Sequence, residues 1–245
     1  MSVDARALAD VARLYRTDPR WLAVRIGDLF GRSDFTGLRV LDVGAGRGLH
    51  SSALAALGAR EVVALEPDLD GSRGGSAAVL ESNAKQLGLS NVRALRCTLD
   101  DFGDDAEPFD LILLYAVVNH LDETHVQTLD RSPESRARFT AILRSLRDRL
   151  RPGGEVVIFD AARHHMLEPL LRAGVLRRHP LAPTIEWHKH QDPDVWAQLL
   201  RDVGFARVDS HWAAFSRYAW VRWLLGGRRW AAALLSPRFV VRARR

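Results

Sequence analysis

Apolar positions along this chain change period near residue 37. Before it they recur at helical spacing: Leu8, Val11, Leu14 and Tyr15, then Trp21, Val24 and Leu29 after a break at Pro19, so helices are expected over the first 36 residues. After it, short largely apolar stretches at 38–43, 61–65, 92–97, 109–115 and 155–159 read as strands, with helical patterns at 49–57, 77–87 and 133–150 between them. The last of these helices carries Phe139, Ile142, Leu143 and Leu146 on one stripe. A further helix begins at Asp194, carries Val195, Trp196, Leu199 and Leu200, and ends at Gly204. Strands are expected on either side of an insertion at 215–236: a sixth over 205–212 and a seventh, antiparallel one over 238–242.

The first strand runs into Leu41-Asp42-Val43-Gly44-Ala45-Gly46-Arg47-Gly48. Glycines at alternate positions let the backbone turn sharply and approach a ligand, because no Cβ intervenes. A strand, a bare loop and a helix start make a cradle for a nucleotide cofactor. A dinucleotide fingerprint would need its third glycine where Leu49 stands, and the acid at Asp42 would repel a pyrophosphate but attract an ammonium group. The expected cofactor is therefore a nucleoside bearing a cationic amino-acid tail. The second strand ends in Glu66-Pro67, about twenty residues on, where an acid can accept hydrogen bonds from ribose hydroxyls.

Together these residues resemble the first motifs of the class I S-adenosylmethionine-dependent methyltransferases. The resemblance implies a Rossmann-like α/β fold with a seven-stranded, mostly parallel sheet, helices on both faces and an antiparallel last strand. It implies that Asp42, Gly44, Ala45, Gly46 and Gly48 hold the methionine part and that Glu66 and Pro67 meet the ribose. It sets Thr98 and Leu99 near the adenine. The family usually has an acid where Thr98 stands, so Asp100 or Asp101 is the alternative contact. Tyr115, ending the fourth strand, is expected to face the methyl group. The N-terminal helices, 1–36, are expected to lid this site, and 37–245 form the catalytic domain. Arg151-Pro-Gly-Gly154 matches the family's turn into the fifth strand, and 161–193 is the insertion where such folds place substrate contacts.

Methyl transfer from a sulfonium needs alignment above all, and a base only if the acceptor must lose a proton. His120, just after the fourth strand, is one candidate; capping the next helix is its bland alternative. His188 and His190 are the others. If 186–190 is extended, Glu186, His188 and His190 share a face, able to serve as a base, a hydrogen-bonded substrate wall or a metal site. The wall is preferred, because no fourth ligand is fixed by spacing, and no metal is expected. Asn119-His-Leu-Asp-Glu123 with Ile185-Glu-Trp-His-Lys-His-Gln191 resembles a subgroup acting on small molecules, so the expected partner is a small-molecule methyl acceptor, through oxygen or nitrogen. A cofactor-binding module without chemistry is the rival reading, as is transfer of the cofactor's aminopropyl group, which would need an acid cluster absent from 114–118.

Composition adds little to this picture until charge is mapped. The 245 residues suit one domain, and the single Cys97 excludes an internal disulfide framework and fits the cytoplasm. The start of the chain does not read as a signal peptide, and no apolar run reaches 18 residues. The net charge of +5 is uneven, with ten arginines against Asp202 and Asp209 in 201–245. With Trp212, Trp220, Trp223 and Trp230, that region could bind nucleic acid, lie on an anionic membrane through 212–245, or form a solvated face. The solvated face is preferred: arginine outnumbers lysine 33 to 2 throughout. Peripheral membrane contact, with an amphiphilic or lipid-linked acceptor, remains open, whereas nucleic acid as substrate is disfavoured by the lack of an Asn/Asp-Pro-Pro-aromatic motif at 114–119.

Overall fold

The computed structural model describes residues 3–68, 75–103, 107–179, 184–213 and 238–245. Seven strands, β1 (Arg39–Val43), β2 (Glu61–Leu65), β3 (Val92–Leu95), β4 (Phe109–Tyr115), β5 (Leu150–Ala161), β6 (Arg207–Trp212) and β7 (Arg238–Arg244), form one sheet in the order β3-β2-β1-β4-β5-β7-β6. The first five are parallel, and β7 lies antiparallel between β5 and β6. This is the expected seven-stranded Rossmann-like sheet.

The apolar runs are continuous because both faces are covered. On β4, Ile112 and Leu114 face one core layer while Leu111 and Leu113 face the other; on β5, Val156 and Ile158 oppose Val157 and Phe159 in the same way. The first layer is closed by α6 (Pro133–Asp148) and α8 (Pro193–Val203), through Phe139, Ile142, Leu143, Leu146, Trp196 and Leu200. The second is closed by α1 (Ala9–Leu14), α2 (Pro19–Phe30) and α3 (Leu49–Ala56), through Leu8, Val11, Leu22, Ile26, Leu29 and Leu54. Pro19 starts α2, whose Asp18 cap accepts from the Trp21 amide at 2.7 Å. Val24, expected on the apolar stripe, points outward at 56% exposure; Leu22 and Ile26 take the core instead.

The turn expected at 151–154 lies inside β5. Phe109 pairs with Leu150 and Leu111 with Glu155, so extra residues bulge out of the ladder, with Gly153 at φ +79°. The 161–193 insertion contains α7 (Glu168–Arg172) and a 3₁₀ turn at Trp187–Lys189. The expected helical insertion at 215–236 lies outside the described residues, and so do the three tryptophans within it. No helix among the described residues is long and apolar enough to cross a membrane.

Candidate active site

β1 and β4 are neighbours whose connections run to opposite sides of the sheet, which opens a crevice at their carboxyl ends. A cavity of about 490 Å³ occupies it. Its walls come from the ends of four strands: Val43 and Gly44; Leu65, Glu66 and Pro67; Cys97, Thr98, Leu99 and Asp100; and Ala116, Val117 and His120.

Asp42, on the strand below, does not line the cavity. Its strand neighbours Leu41 and Val43 take the other face, so its side chain turns toward α3, where the Ser51 hydroxyl donates to Oδ2 at 2.6 Å. The carboxyl is 1% exposed, and Oδ1 has no partner among the described residues. Burial, with Glu66 adding repulsion, pushes its pKa to about 7 despite the Ser51 bond. An orphaned buried carboxylate oxygen is a site for a cation. Glu66 is also buried and lines the cavity, and its Oε2 accepts from the Gly46 amide at 2.6 Å, so the acid fixes the glycine loop.

The loop itself is tied down on every side. Ala45 donates to the Leu65 carbonyl and Gly48 to that of Ala45. Gly44 has φ +66°, and a Cβ there would stand 2.4 Å from Val117 Cγ2, so only glycine lets the segment after β4 pass over the loop. From α1 the Tyr15 hydroxyl donates to the Arg47 carbonyl at 2.7 Å, which sets the N-terminal helices against the loop. The Thr98 hydroxyl donates to Asp101 and accepts from its amide, at 2.6 and 3.1 Å, while Asp100 binds Arg138 at 2.9 Å; Thr98 and Asp100 line the cavity.

A second cavity, about 280 Å³, adjoins the first. Ala116 and His120 line both. Tyr115 is placed here and not in the larger cavity, stacked on Phe159 with ring centroids 4.3 Å apart and pressed by the buried His50 at 4.0 Å. Burial, with Arg25 adding its charge, holds His50 well below the usual histidine range, so it is neutral.

His120 ends a 3₁₀ turn at Val118–His120, and its Nδ1 lies 2.7 Å from Glu123 Oε1. The cap of α5 (Glu123–Val126) is Asp122, not His120. Hydrogen bonds from His120 and then Lys189 keep Glu123 below the ordinary glutamate range, hence ionised at neutral pH. Lys189 comes from the insertion and bridges Glu123 at 3.1 Å and Glu186 at 2.9 Å.

The shared face expected of Glu186, His188 and His190 does not form. The segment closes into a turn through Lys189 N to Glu186 O and His190 N to Trp187 O, and three residues per turn send alternate side chains apart. His190 goes inward to Asp160, Nδ1 to Oδ1 at 3.1 Å, and lines the smaller cavity. His188 is exposed and lines neither cavity. No group of three His, Cys, Asp or Glu residues among the described residues is placed to hold a metal.

Asn119, Asp160 and Lys189 line the smaller cavity as well, and spacing flagged none of them individually. Arg163 clamps the insertion by donating to the carbonyls of His190, His188 and Gln127.

A family model described as a methyltransferase domain matches residues 15–210. The chain belongs to the class I S-adenosylmethionine-dependent methyltransferases. It is an enzyme whose cofactor is S-adenosylmethionine, and buried carboxyl groups such as Asp42 and Glu66 suit the cationic tail and the ribose of that molecule. A ubiquinone biosynthesis O-methyltransferase from Ruegeria pomeroyi is 30% identical over 217 residues, 86% of this chain and 78% of that protein. Two solved methyltransferases share the fold. An S-adenosylmethionine-dependent methyltransferase from Mesorhizobium loti superposes with TM-score 0.57 at 18% identity, over 91% of this chain and 98% of its own. One from Aquifex aeolicus gives 0.55 at 16%, over 85% and 82%.

Proposed function

We propose that this methyltransferase O-methylates a small molecule, with the larger cavity taking the cofactor and the smaller one the acceptor. The observation that carries the reading is His120: it stands where the two cavities meet and is polarised by an ionised glutamate. The name of the Ruegeria relative supports oxygen as the acceptor atom.

S-adenosylmethionine supplies an electrophilic methyl group on a sulfonium. Asp42 Oδ1 holds the ammonium end, Glu66 the ribose, and Thr98, Leu99 and Asp100 the adenine side. These contacts are made before reaction and align the donor, which is where most of the protein's contribution to such a displacement lies. Because His120 donates Nδ1–H to Glu123, its lone pair is on Nε2, free to accept the acceptor's hydroxyl proton as the oxygen attacks. Glu123 stabilises the imidazolium that results. Asn119, whose buried Oδ1 lacks a partner among the described residues and which lines the acceptor cavity, offers a second acceptor for a substrate hydroxyl. The helices of 1–36 act as the lid over the loop through Tyr15.

The test is to offer the enzyme S-adenosylmethionine with small hydroxylated aromatics and with amines of similar size, following S-adenosylhomocysteine and the methylated product. Transfer to hydroxyls that is lost in His120→Ala is expected. Transfer to amines alone, or undiminished transfer in the variant, overturns the assignment.

A further inference from the structure

The acceptor cavity is lined by the nitrogen side chains Lys189, His190, His120 and Arg238, with Asp160 and Glu186 as its acids. Pairing accounts for three of the four. Lys189 lies against Glu186 and Glu123, His190 against Asp160, and His120 against Glu123. Arg238 forms no ion pair among the described residues; its guanidinium sits 6.0 Å over the Phe159 ring.

The surroundings carry the same sign. Arg25 on α2 is buried with its guanidinium 4.3 Å over Tyr115, a ring that lines this cavity. Burial first, and Arg238 among the further causes, holds Arg25 below its ordinary value. Burial, then His165 and Arg238, pushes His179 down to about 4, so it adds no charge at neutral pH. A guanidinium at a cavity wall that forms no ion pair among the described residues, with a second cation behind it, is a receptor for an anion, and its planar fork matches a carboxylate. Tyr115 and Phe159, stacked at 14°, add flat aromatic surface to the same wall.

We infer that the methyl acceptor is a hydroxylated aromatic acid whose carboxylate pairs with Arg238 while its hydroxyl meets His120. This rests on the O-methyl transfer reading above and adds the substrate's charge. The cavity of about 280 Å³ is of a size for a single ring with its substituents. Lys189 pairs with Glu186, and His190 lies on Asp160 Oδ1, leaving Oδ2 without a partner among the described residues as an acceptor for a second hydroxyl of the ring.

The test uses the full chain with S-adenosylhomocysteine bound. Calorimetry measures binding of 3,4-dihydroxybenzoate and of its methyl ester to wild type, Arg238→Met and Arg238→Lys, and methyl transfer to both compounds is assayed in parallel. Wild type should bind the acid roughly tenfold to a hundredfold more tightly than the ester, the range of a charge-assisted hydrogen bond. Arg238→Met should erase that preference without changing S-adenosylhomocysteine affinity, and Arg238→Lys should keep part of it. Equal affinity for acid and ester in wild type, failure of the acid to bind, or an intact preference in Arg238→Met overturns the inference. Arg238-dependent binding of the acid without methylation upholds the anion site and sinks the O-methyl transfer reading. Methylation of both compounds regardless of Arg238 does the reverse.

Discussion

The two halves of the crevice are built on different plans. The half proposed for the cofactor comes largely from one stretch, 40–66, whose two acids are buried and held by short bonds from Ser51 and Gly46. The acceptor half is gathered from the end of β4, the insertion and β7, and is joined by ion pairs among half-exposed side chains such as His120, Glu123 and Lys189. Buried, locally encoded contacts suit a ligand shared by a whole family. Contacts that depend on long-range pairing can be exchanged one segment at a time, which suits a ligand that differs between members.

The contrast is sharpest at His120, which belongs to both halves. His120→Ala should lower kcat by about 10²- to 10⁴-fold, the usual worth of a general base, while calorimetric affinity for S-adenosylmethionine stays at the wild-type value. An affinity loss in step with kcat would merge the two halves into one site.

Asp42 tests the buried half through pH. Its folded pKa, about 7, is raised above the unfolded value, so the stability it contributes is present below about pH 4 and is lost as pH rises through 7. Without cofactor, the melting difference between Asp42→Asn and wild type should therefore move in the variant's favour between about pH 4 and 7. Holding an ammonium group requires the ionised carboxylate. Wild-type affinity for S-adenosylmethionine should thus fall toward tenfold per pH unit below 7, with proton release on binding, and Asp42→Asn should flatten that slope. A pH-independent wild-type affinity would detach Asp42 from the cofactor.

Glu66→Ala should weaken cofactor binding by about 1.5 to 3 kcal/mol, measured by calorimetry, because a charge-assisted bond to the ribose goes and the Gly46 amide loses its acceptor. Unchanged affinity would reassign the ribose.

The same division governs what could be read from the chain. Asp42, the glycines and Glu66 lie within 25 residues at fixed offsets from two apolar runs, and apolar runs buried on both faces place themselves in a parallel sheet. Their positions follow from local pattern alone. His190 with Asp160, Lys189 with Glu123, and Arg238 beside Tyr115 each join residues 30 to more than 100 positions apart, and no periodicity links them. The one local inference attempted there assumed an extended 186–190. It failed because backbone bonds from Lys189 and His190 close a turn, with Arg163 holding the carbonyls of His188 and His190 in place. Tyr115 lines the smaller cavity for a related reason: a strand's last residue faces one side or the other by parity, and here parity sends it with Leu111 and Leu113 toward α2.

The smallest effects separate the two residues at the centre of that turn. Lys189 reaches Glu123 and Glu186, so Lys189→Met should loosen the insertion's hold on the His120 pair and lower kcat/KM by about 1 kcal/mol, near fivefold, since exposed ion pairs each contribute less than that. The loss should shrink at high salt, which screens such pairs. His188 offers the site only its backbone carbonyl, already taken by Arg163, and a carbonyl survives any substitution. His188→Ala should therefore leave kcat and KM within about twofold of wild type, the ordinary range for an exposed side chain. Steady-state assays of both variants at low and high salt decide the matter. If His188→Ala were the more damaging, the side chain would have to reach the acceptor in a conformation other than this turn, and the acceptor half would be remade by its ligand.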